Sequence, residues 1–394
     1  MTLAWQTKRL DTLAQFRNGK SIKPGGSGTY PVYGSNGTIG ASEAYMYEDA
    51  IILGRVGAYC GSVERCSGRF WASDNTIVVE ANPEEVSTRF LYYTLIDANL
   101  NRHAGGAAQP LLTQSRLKPL EFQVPSLATQ RRIASILSAY DDLIENNTRR
   151  IEILEEMARR LYEEWFVHFR FPGHEDIRFV DSNTELGLVP EGWAVVSLSD
   201  VTSFISRGIS PNYDDGANSR VINQKCIRDQ RLTMELARKQ RKKVPDDKKV
   251  LFGDILINST GVGTLGRVAQ VYENLENVTV DSHVTIVRAC ADINTSYFGQ
   301  QLLYLQPFFE EQGVGSTGQT ELSRTRIAEA AFLKSPMCIQ QLFGDTVFPM
   351  KEEQQLLHRK NTNLRSQRDL LLPKLVSGEI DVREAEETLE KAVA

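Results

Sequence analysis

Residues 261–266 read GVGTLG, three glycines at the Gly-x-Gly-x-x-Gly spacing directly behind the apolar run DILINST (254–260). In that pattern the glycines let backbone close around a pyrophosphate, whose charge sits at the N-terminus of a following helix. The next segment of this chain is RVAQVYENLENVTV (267–280), rich in β-branched residues. It predicts a hairpin turn with glycine at positive φ, not a cofactor cradle. SPNY (210–213) is one residue short of the Asp/Asn/Ser-Pro-Pro-aromatic motif with which amino-methyltransferases grip a base, and no strand–Gly–helix site for a methyl donor accompanies it. PDDKK (245–249) suggests nuclease carboxylates but lacks a second carboxylate–Lys pair, so it reads as a solvated charge run. His103, His168, His174, His283 and His358 are scattered without ligand spacing, and His283, in a β-branched run, reads as a core or turn residue. H-E-x-x-H, G-x-x-x-x-G-K-[ST] and G-x-S-x-G are all missing. The expectation is a binding protein with no catalytic residue, no metal site and no cofactor of its own.

The 394 residues are enough for two or three domains, and 41% apolar with 24% charged content is ordinary for globular protein. No apolar run approaches a membrane span, and Trp5, Lys8 and Arg9 interrupt the start. Five cysteines, odd in number and without a C-x-x-C pair, fit a reduced, cytoplasmic chain. Net charge is −5, so a nucleic-acid reading must rest on local patches.

The elements that would position any site occur twice. LAWQTKRLDTLAQFRNGKSI (3–22) is echoed by GWAVVSLSDVTSFISRGIS (192–210), and DAIILGRVGAYCGSV (49–63) by DILINSTGVGTLGRV (254–268). SDNTIVVEA (73–81) matches VDSHVTIVRA (280–289), and GGAAQPLLTQSRL (105–117) matches GSTGQTELSRTRI (315–327). The twin of GVGTLG, RVGAYCG (55–61), loses the dinucleotide spacing, which argues further against a cradle. Each copy opens strand-rich, with Asn36-Gly37 as a hairpin signal, and closes helical.

In 125–166 an apolar seam steps by four and three: Ile133, Leu137, Tyr140, Ile144, Asn147, Ile151, Leu154, Ala158, Leu161, Trp165. This is a heptad pattern in which a lone Asn typically fixes register. As one helix the segment would run roughly 60 Å. A second seam runs in phase: Met350, Gln354, Leu357, Asn361, Leu364, Arg368, Leu371, Leu375, with Pro373 expected to kink or end its helix and Gly378 to stop it. The two helices are expected to pair antiparallel. The expected architecture is α+β: two strand-rich globular domains with helices (1–124 and 183–335), each followed by a helical spacer (125–182 and 336–394), the helices forming an antiparallel coiled coil with a pseudo-two-fold.

Reading bases requires Arg, Lys, Asn and Gln on loops or helices that reach a groove. In the first copy the candidates are Lys20, Lys23, Tyr33, Ser35, Asn36, Arg55, Gln109, Gln114 and Arg116. In the second they are Arg207, Tyr213, Asn223, Arg228, Thr264, Arg267, Gln319, Arg324 and Arg326. The run ARKQRKK (237–243) adds the densest basic patch, with Arg238, Lys239, Arg241, Lys242 and Lys243. Thr264 and Arg267 are the side chains of GVGTLGR to test first. The competing reading is a coiled-coil scaffold with two protein-binding domains, favoured by the near-neutral charge of both copies.

Together these segments resemble the specificity subunit of type I restriction–modification systems. KPLEFQVPSLATQRRIASILSAYDDLIENN is similar to that family's join between first recognition domain and central helix, ELGLVPEGWAVVSLSDV (185–201) to the opening of its second domain, and LLPKLVSGEI (371–380) to the end of its distal helix. YPVYGSNGTIG (30–40) and FWASDNTIVV (70–79) resemble recognition-domain signatures, which the second copy matches only loosely. The resemblance implies a non-catalytic DNA-binding subunit whose two domains read the halves of a split target, with the helices as spacer. It implies two copies of a modification (methyltransferase) subunit that methylates adenine N6, and a restriction (motor–nuclease) subunit. S-adenosylmethionine, ATP and Mg would reside on those partners.

Overall fold

The computed structural model describes residues 5–23, 25, 27–106, 109–313, 321–383 and 385. The chain divides into two units, Met1–Asn147 with Arg359–Ala394, and Thr148–His358. Both long helices, Leu127–Tyr162 and Met337–Ser377, therefore contribute one half to each unit.

In the first unit a six-stranded sheet runs Ala14–Asn18, Thr76–Ala81, Tyr47–Gly54, Val63–Ala72, Tyr30–Gly34, Gly37–Ser42. Tyr30–Gly34 is parallel to Val63–Ala72, and its hairpin with Gly37–Ser42 closes at Gly34 opposite Gly37, whose φ of +81° needs glycine. Alternation along Tyr47–Gly54 and Thr76–Ala81 puts Ile51, Leu53, Ile77 and Val79 into one core. The helix Thr88–Asp97, capped by the Ser87 hydroxyl, packs Phe90 and Leu91 on the same core.

The second unit repeats this plan with one break. Thr202–Arg207, Val284–Ala289, Ile255–Asn258 and Val268–Gln270 form a four-stranded sheet, while Arg238–Gln240, Ser219–Ile222 and Val278–Val280 form a separate three-stranded one. The single long strand Val63–Ala72 has become two short ones, because VYENLEN (271–277) intervenes. The parallel pairing survives as Ser219–Ile222 beside Val278–Val280, and Thr295–Tyr304 stands for Thr88–Asp97. Its aromatic core joins Tyr162, Trp165, Phe166, Trp193, Tyr297 and Phe343.

Within each unit the two helix halves pair antiparallel. In the first, Asp141 bonds Arg368 (2.6 Å) and Asn147 Nδ2 donates to Asn361 Oδ1 (2.9 Å), amid buried Ile133, Leu137, Tyr140, Ile144, Leu364, Leu371 and Leu375. In the second, Arg150 bonds Glu353 (2.7 Å); Ile151, Ala158, Trp165 and Leu357 are buried, and Leu154 and Leu161 half-buried. The two seam asparagines are thus one pair, which satisfies both amides where an unpaired one would be costly. Pro373 does not end its helix, which runs on to Ser377 before Gly378 at φ +77° stops it. Burial of Leu371, Leu372, Leu375 and Val376 on both sides outweighs the backbone bond that proline removes.

Two buried glutamines at corresponding places fasten the helix starts. Gln130 accepts from the Ser87 N–H (2.8 Å) and donates to the carbonyls of Pro125 and Glu85. Gln340 accepts from the Asn294 N–H (3.0 Å) and donates to the Ser335 carbonyl (2.6 Å).

Lys351 is buried beside the Arg231–Glu155 ion pair, its Nζ 5.9 Å from the Tyr272 ring, and desolvation pushes its pKa down to about 8. The unfolded chain then binds more protons than the folded one between about 8 and the ordinary lysine range, so stability rises with pH across that window. Lys351→Met is expected to stabilise the second unit at pH 7 by about 1–3 kcal/mol and to flatten that rise, read by urea unfolding at pH 7 and 9.5. A loss of stability at pH 7 would show that the ammonium is net favourable where it sits.

Candidate nucleic-acid interface

Four loops of the first unit meet at one end of its sheet, held by backbone. The Ser73 N–H donates to the Tyr33 carbonyl, Arg55 N–H to Asn75 (2.9 Å), and Leu112 N–H to Arg55 (2.9 Å). The second unit repeats these bonds: Asp281 N–H to the Ile222 carbonyl, Ser259 N–H to His283 (2.8 Å), and Leu322 N–H to Ser259 (2.8 Å). Tyr33 and Ile222, Arg55 and Ser259, Asn75 and His283, and Leu112 and Leu322 are therefore equivalent positions. Strand periodicity drives the sheets, and these loops are what is left at the strand ends to face outward.

Side chains complete each junction differently. Ser35 Oγ donates to the Asn75 carbonyl (2.7 Å) and accepts from the Arg55 N–H (3.2 Å), while Ser62 Oγ donates to the Ser35 carbonyl (2.8 Å). Around this knot Asn36, Tyr59, Asn75 and Gln109 are exposed, with Tyr33 and Arg55 half-buried. Lys20 joins the same edge, its N–H donating to Ala72 and its carbonyl accepting from Trp71 Nε1. In the second unit Gln224 Nε2 donates to both the Thr260 carbonyl and Thr260 Oγ1 (2.7 Å), and Thr260 Oγ1 lies 2.8 Å from His283 Nδ1. Arg207 is ion-paired to Glu321 (2.7 Å) and donates to the Leu322 carbonyl (3.1 Å).

GVGTLG lies between antiparallel strands Ile255–Asn258 and Val268–Gln270, with positive φ at Gly261, Gly263 and Gly266. It is a hairpin connection. Thr264 donates to the Thr260 carbonyl (3.3 Å) and Arg267 to the Gly263 carbonyl (2.7 Å), so these two side chains close the hairpin on itself. The exposed polar group here is His283, whose sequence context leaves core and turn both open; it sits in the turn.

The basic run forms strand Arg238–Gln240, anchored by buried Gln240 to Ser219 and Lys242. Arg238 stacks on Tyr213 (3.5 Å), Lys242 donates to the Ser210 carbonyl (3.2 Å), and Arg238, Lys239, Arg241, Lys242 and Lys243 are all exposed. Because Ile209 bridges Asp281, this patch adjoins the His283 turn.

Other sequence candidates have structural duties or lie elsewhere. Gln114 donates to Asn18 (3.0 Å), the Arg116 guanidinium lies on the backbone at Gly105, and the Asn223 side chain accepts from the Lys225 N–H. Arg228 occupies a small hairpin tied to Leu303 and Glu155 through Gln230 and Arg231, away from the loop junction. Lys23, Arg324 and Arg326 are exposed, and Gln319 lies outside the described residues. Tyr59, Asn75, Gln224 and Thr260 join the junctions without any sequence signal that marks them. Among the described residues no cluster of His, Cys, Asp or Glu has metal-binding geometry, and no helix is long and apolar enough to cross a membrane.

The family model described as type I restriction modification DNA specificity domain matches residues 3–156. The type I restriction enzyme MjaIX specificity subunit of Methanocaldococcus jannaschii is 29% identical over 317 residues, covering 76% of this chain and 70% of that protein. The EcoprrI specificity subunit of Escherichia coli is 34% identical over 131 residues, covering 33% of this chain and 32% of that one. In three dimensions the chain is similar to the crystal structure of a type I restriction–modification S subunit from M. genitalium, with TM-score 0.66 and 18% identity, over 95% of this chain and 96% of the other.

Proposed function

The chain belongs to the specificity subunits of type I restriction–modification systems, and on that premise we propose that each unit reads one half of a split DNA target while the long helices set the gap. The observation that carries this is the loop junction made twice. One backbone skeleton holds different outward side chains in the two units, as two readers of different sequences require. Neutral amide, hydroxyl and imidazole groups suit base edges, and the cations of 238–243 suit phosphate. The paired helices dock two copies of a modification subunit, which brings S-adenosylmethionine and methylates adenine N6. A motor–nuclease subunit with ATP and Mg joins for cleavage. This chain contributes recognition and no chemical step, and acts in the cytoplasm where the DNA is.

The test uses the complex assembled with modification subunits. Methylated adenines mapped in exposed DNA are expected to define one bipartite sequence, and affinity for it should fall steeply with salt as counterions are released. Equal modification of all sequences, or a flat salt response, would remove the reading.

A further inference from the structure

The residue just before the strand second from one edge of each unit's larger sheet, Asn75 before Thr76–Ala81 and His283 before Val284–Ala289, occupies one equivalent and exposed position. In both units its carbonyl accepts from the loop opposite, from Arg55 in one and Ser259 in the other. The turns beneath match as well: the Thr76 N–H donates to Ser73 (3.0 Å) and the Val284 N–H to Asp281 (3.2 Å). The backbone is fixed and only the side chain differs.

The hydrogen-bond partners point to what the histidine offers. Gln224 Nε2 faces the Thr260 carbonyl, an obligate acceptor, which fixes the orientation of the amide. The same nitrogen donates to Thr260 Oγ1 at 2.7 Å, filling one lone pair of that hydroxyl and leaving its hydrogen to find a partner. Among the described residues the acceptor within reach of the hydroxyl hydrogen is His283 Nδ1 at 2.8 Å. The arrangement that pairs this hydrogen has Nδ1 accepting, which places the ring proton on Nε2, away from Thr260. The turn is held beneath by buried Asp281, whose Oδ1 accepts from the His283 N–H (2.9 Å).

We propose that position 283 with its counterpart 75 is the base-reading position of each unit, and that His283 presents an Nε2–H donor to guanine N7 in the major groove of one half-site. Asn75 carries both donor and acceptor, the pair that matches adenine N7 and N6 in the other half. The immediate surroundings argue for a base over a phosphate: Gln224 and Thr260 are neutral, and Arg207 is already committed to Glu321 and Leu322. The proposal rests on the DNA-reading assignment above.

The experiment takes the assembled complex and its mapped target duplex, with each guanine of the second half-site replaced in turn by 7-deazaguanine. Wild type is expected to lose about tenfold in affinity at one guanine, as ~1.4 kcal/mol corresponds to tenfold. His283→Ala should lose the same amount on the unmodified duplex, ignore that replacement, and accept other bases at that position while still discriminating the first half-site. Asn75→Ala should relax one adenine position in the first half-site and leave the second intact. Thr260→Val, which frees the ring to take either tautomer, should relax the guanine position partly. If His283→Ala keeps full sensitivity to every 7-deazaguanine, or weakens all sequences equally and loses its response to a neutral methylphosphonate instead, the proposal is wrong. A wild-type complex without sequence preference would overturn the underlying assignment instead.

Discussion

Gly208→Ala is expected to destroy discrimination in one half of the DNA target and leave the other half read normally. An alanine Cβ at 208 would lie 1.8 Å from the Val280 carbonyl oxygen and 2.6 Å from that of Asp281, the residue beneath the His283 turn. Both obstacles are backbone, pinned by the Ile209 N–H donating to Val280 (3.0 Å) and the Gly208 N–H donating to Val284 (3.2 Å). The turn must move or the strand must detach, at a cost on the order of 3 kcal/mol confined to the second unit. Gly19 is its twin: a Cβ there would lie 1.9 Å from the Ser73 carbonyl oxygen, and its neighbour Lys20 donates to Ala72. Gly19→Ala should therefore spoil the other half-site. Mapping methylated adenines with each variant complex reads the outcome, and urea unfolding should show one early transition in each. Variants that lose both halves together would mean that the units do not fold and read independently.

Neither glycine is visible as special in the sequence, although each sits in a segment whose repetition is. What the sequence carries well is local period and its recurrence. The apolar steps of four and three locate both helix seams, and the Asn36-Gly37 hairpin and the GVGTLG turn come from glycine conformation and β-branched flanks. What it carries poorly is any bond whose partner is a backbone group far along the chain. Gln130 and Gln340 look like surface residues of a helix start, yet each is buried against a loop some 45 residues away. Thr260, Gln224 and His283 lie 23 to 59 residues apart and acquire meaning only when three loops meet. Thr264 and Arg267 illustrate the complementary point. Their side chains fit DNA in type, but their nearest acceptors belong to their own hairpin. Pro373 likewise obeys tertiary burial over local propensity.

Seven residues added to both long helices, between Asn147 and Thr148 and between His358 and Arg359, should lengthen the unread gap and change no base in either half-site. The division between units falls at these two places, so each insertion leaves the contacts within both units untouched. The Asn147–Asn361 pair stays within the first unit, and the Arg150–Glu353 pair and the Arg231–Glu155 pair within the second. A full heptad preserves the seam, since seven residues return a side chain to the same face of a paired helix. The added length is roughly 10 Å at 1.5 Å per residue. Duplex DNA advances about 3.4 Å per base pair, so the gap should grow by about three pairs. Methylated-adenine mapping with the assembled complex measures that spacing and the flanking bases in one experiment. The same seven residues placed in one helix alone should abolish modification. Apolar seams would then be out of step by roughly two helical turns in one unit, separating Asn147 from Asn361 or Arg150 from Glu353. The ion pair is worth little by itself at the surface, but the buried amides would be left unsatisfied, and that cost falls on the helix pairing directly. Altered bases in either half with the double insertion would mean that the helices take part in reading, and the division of labour between spacer and readers would have to be abandoned.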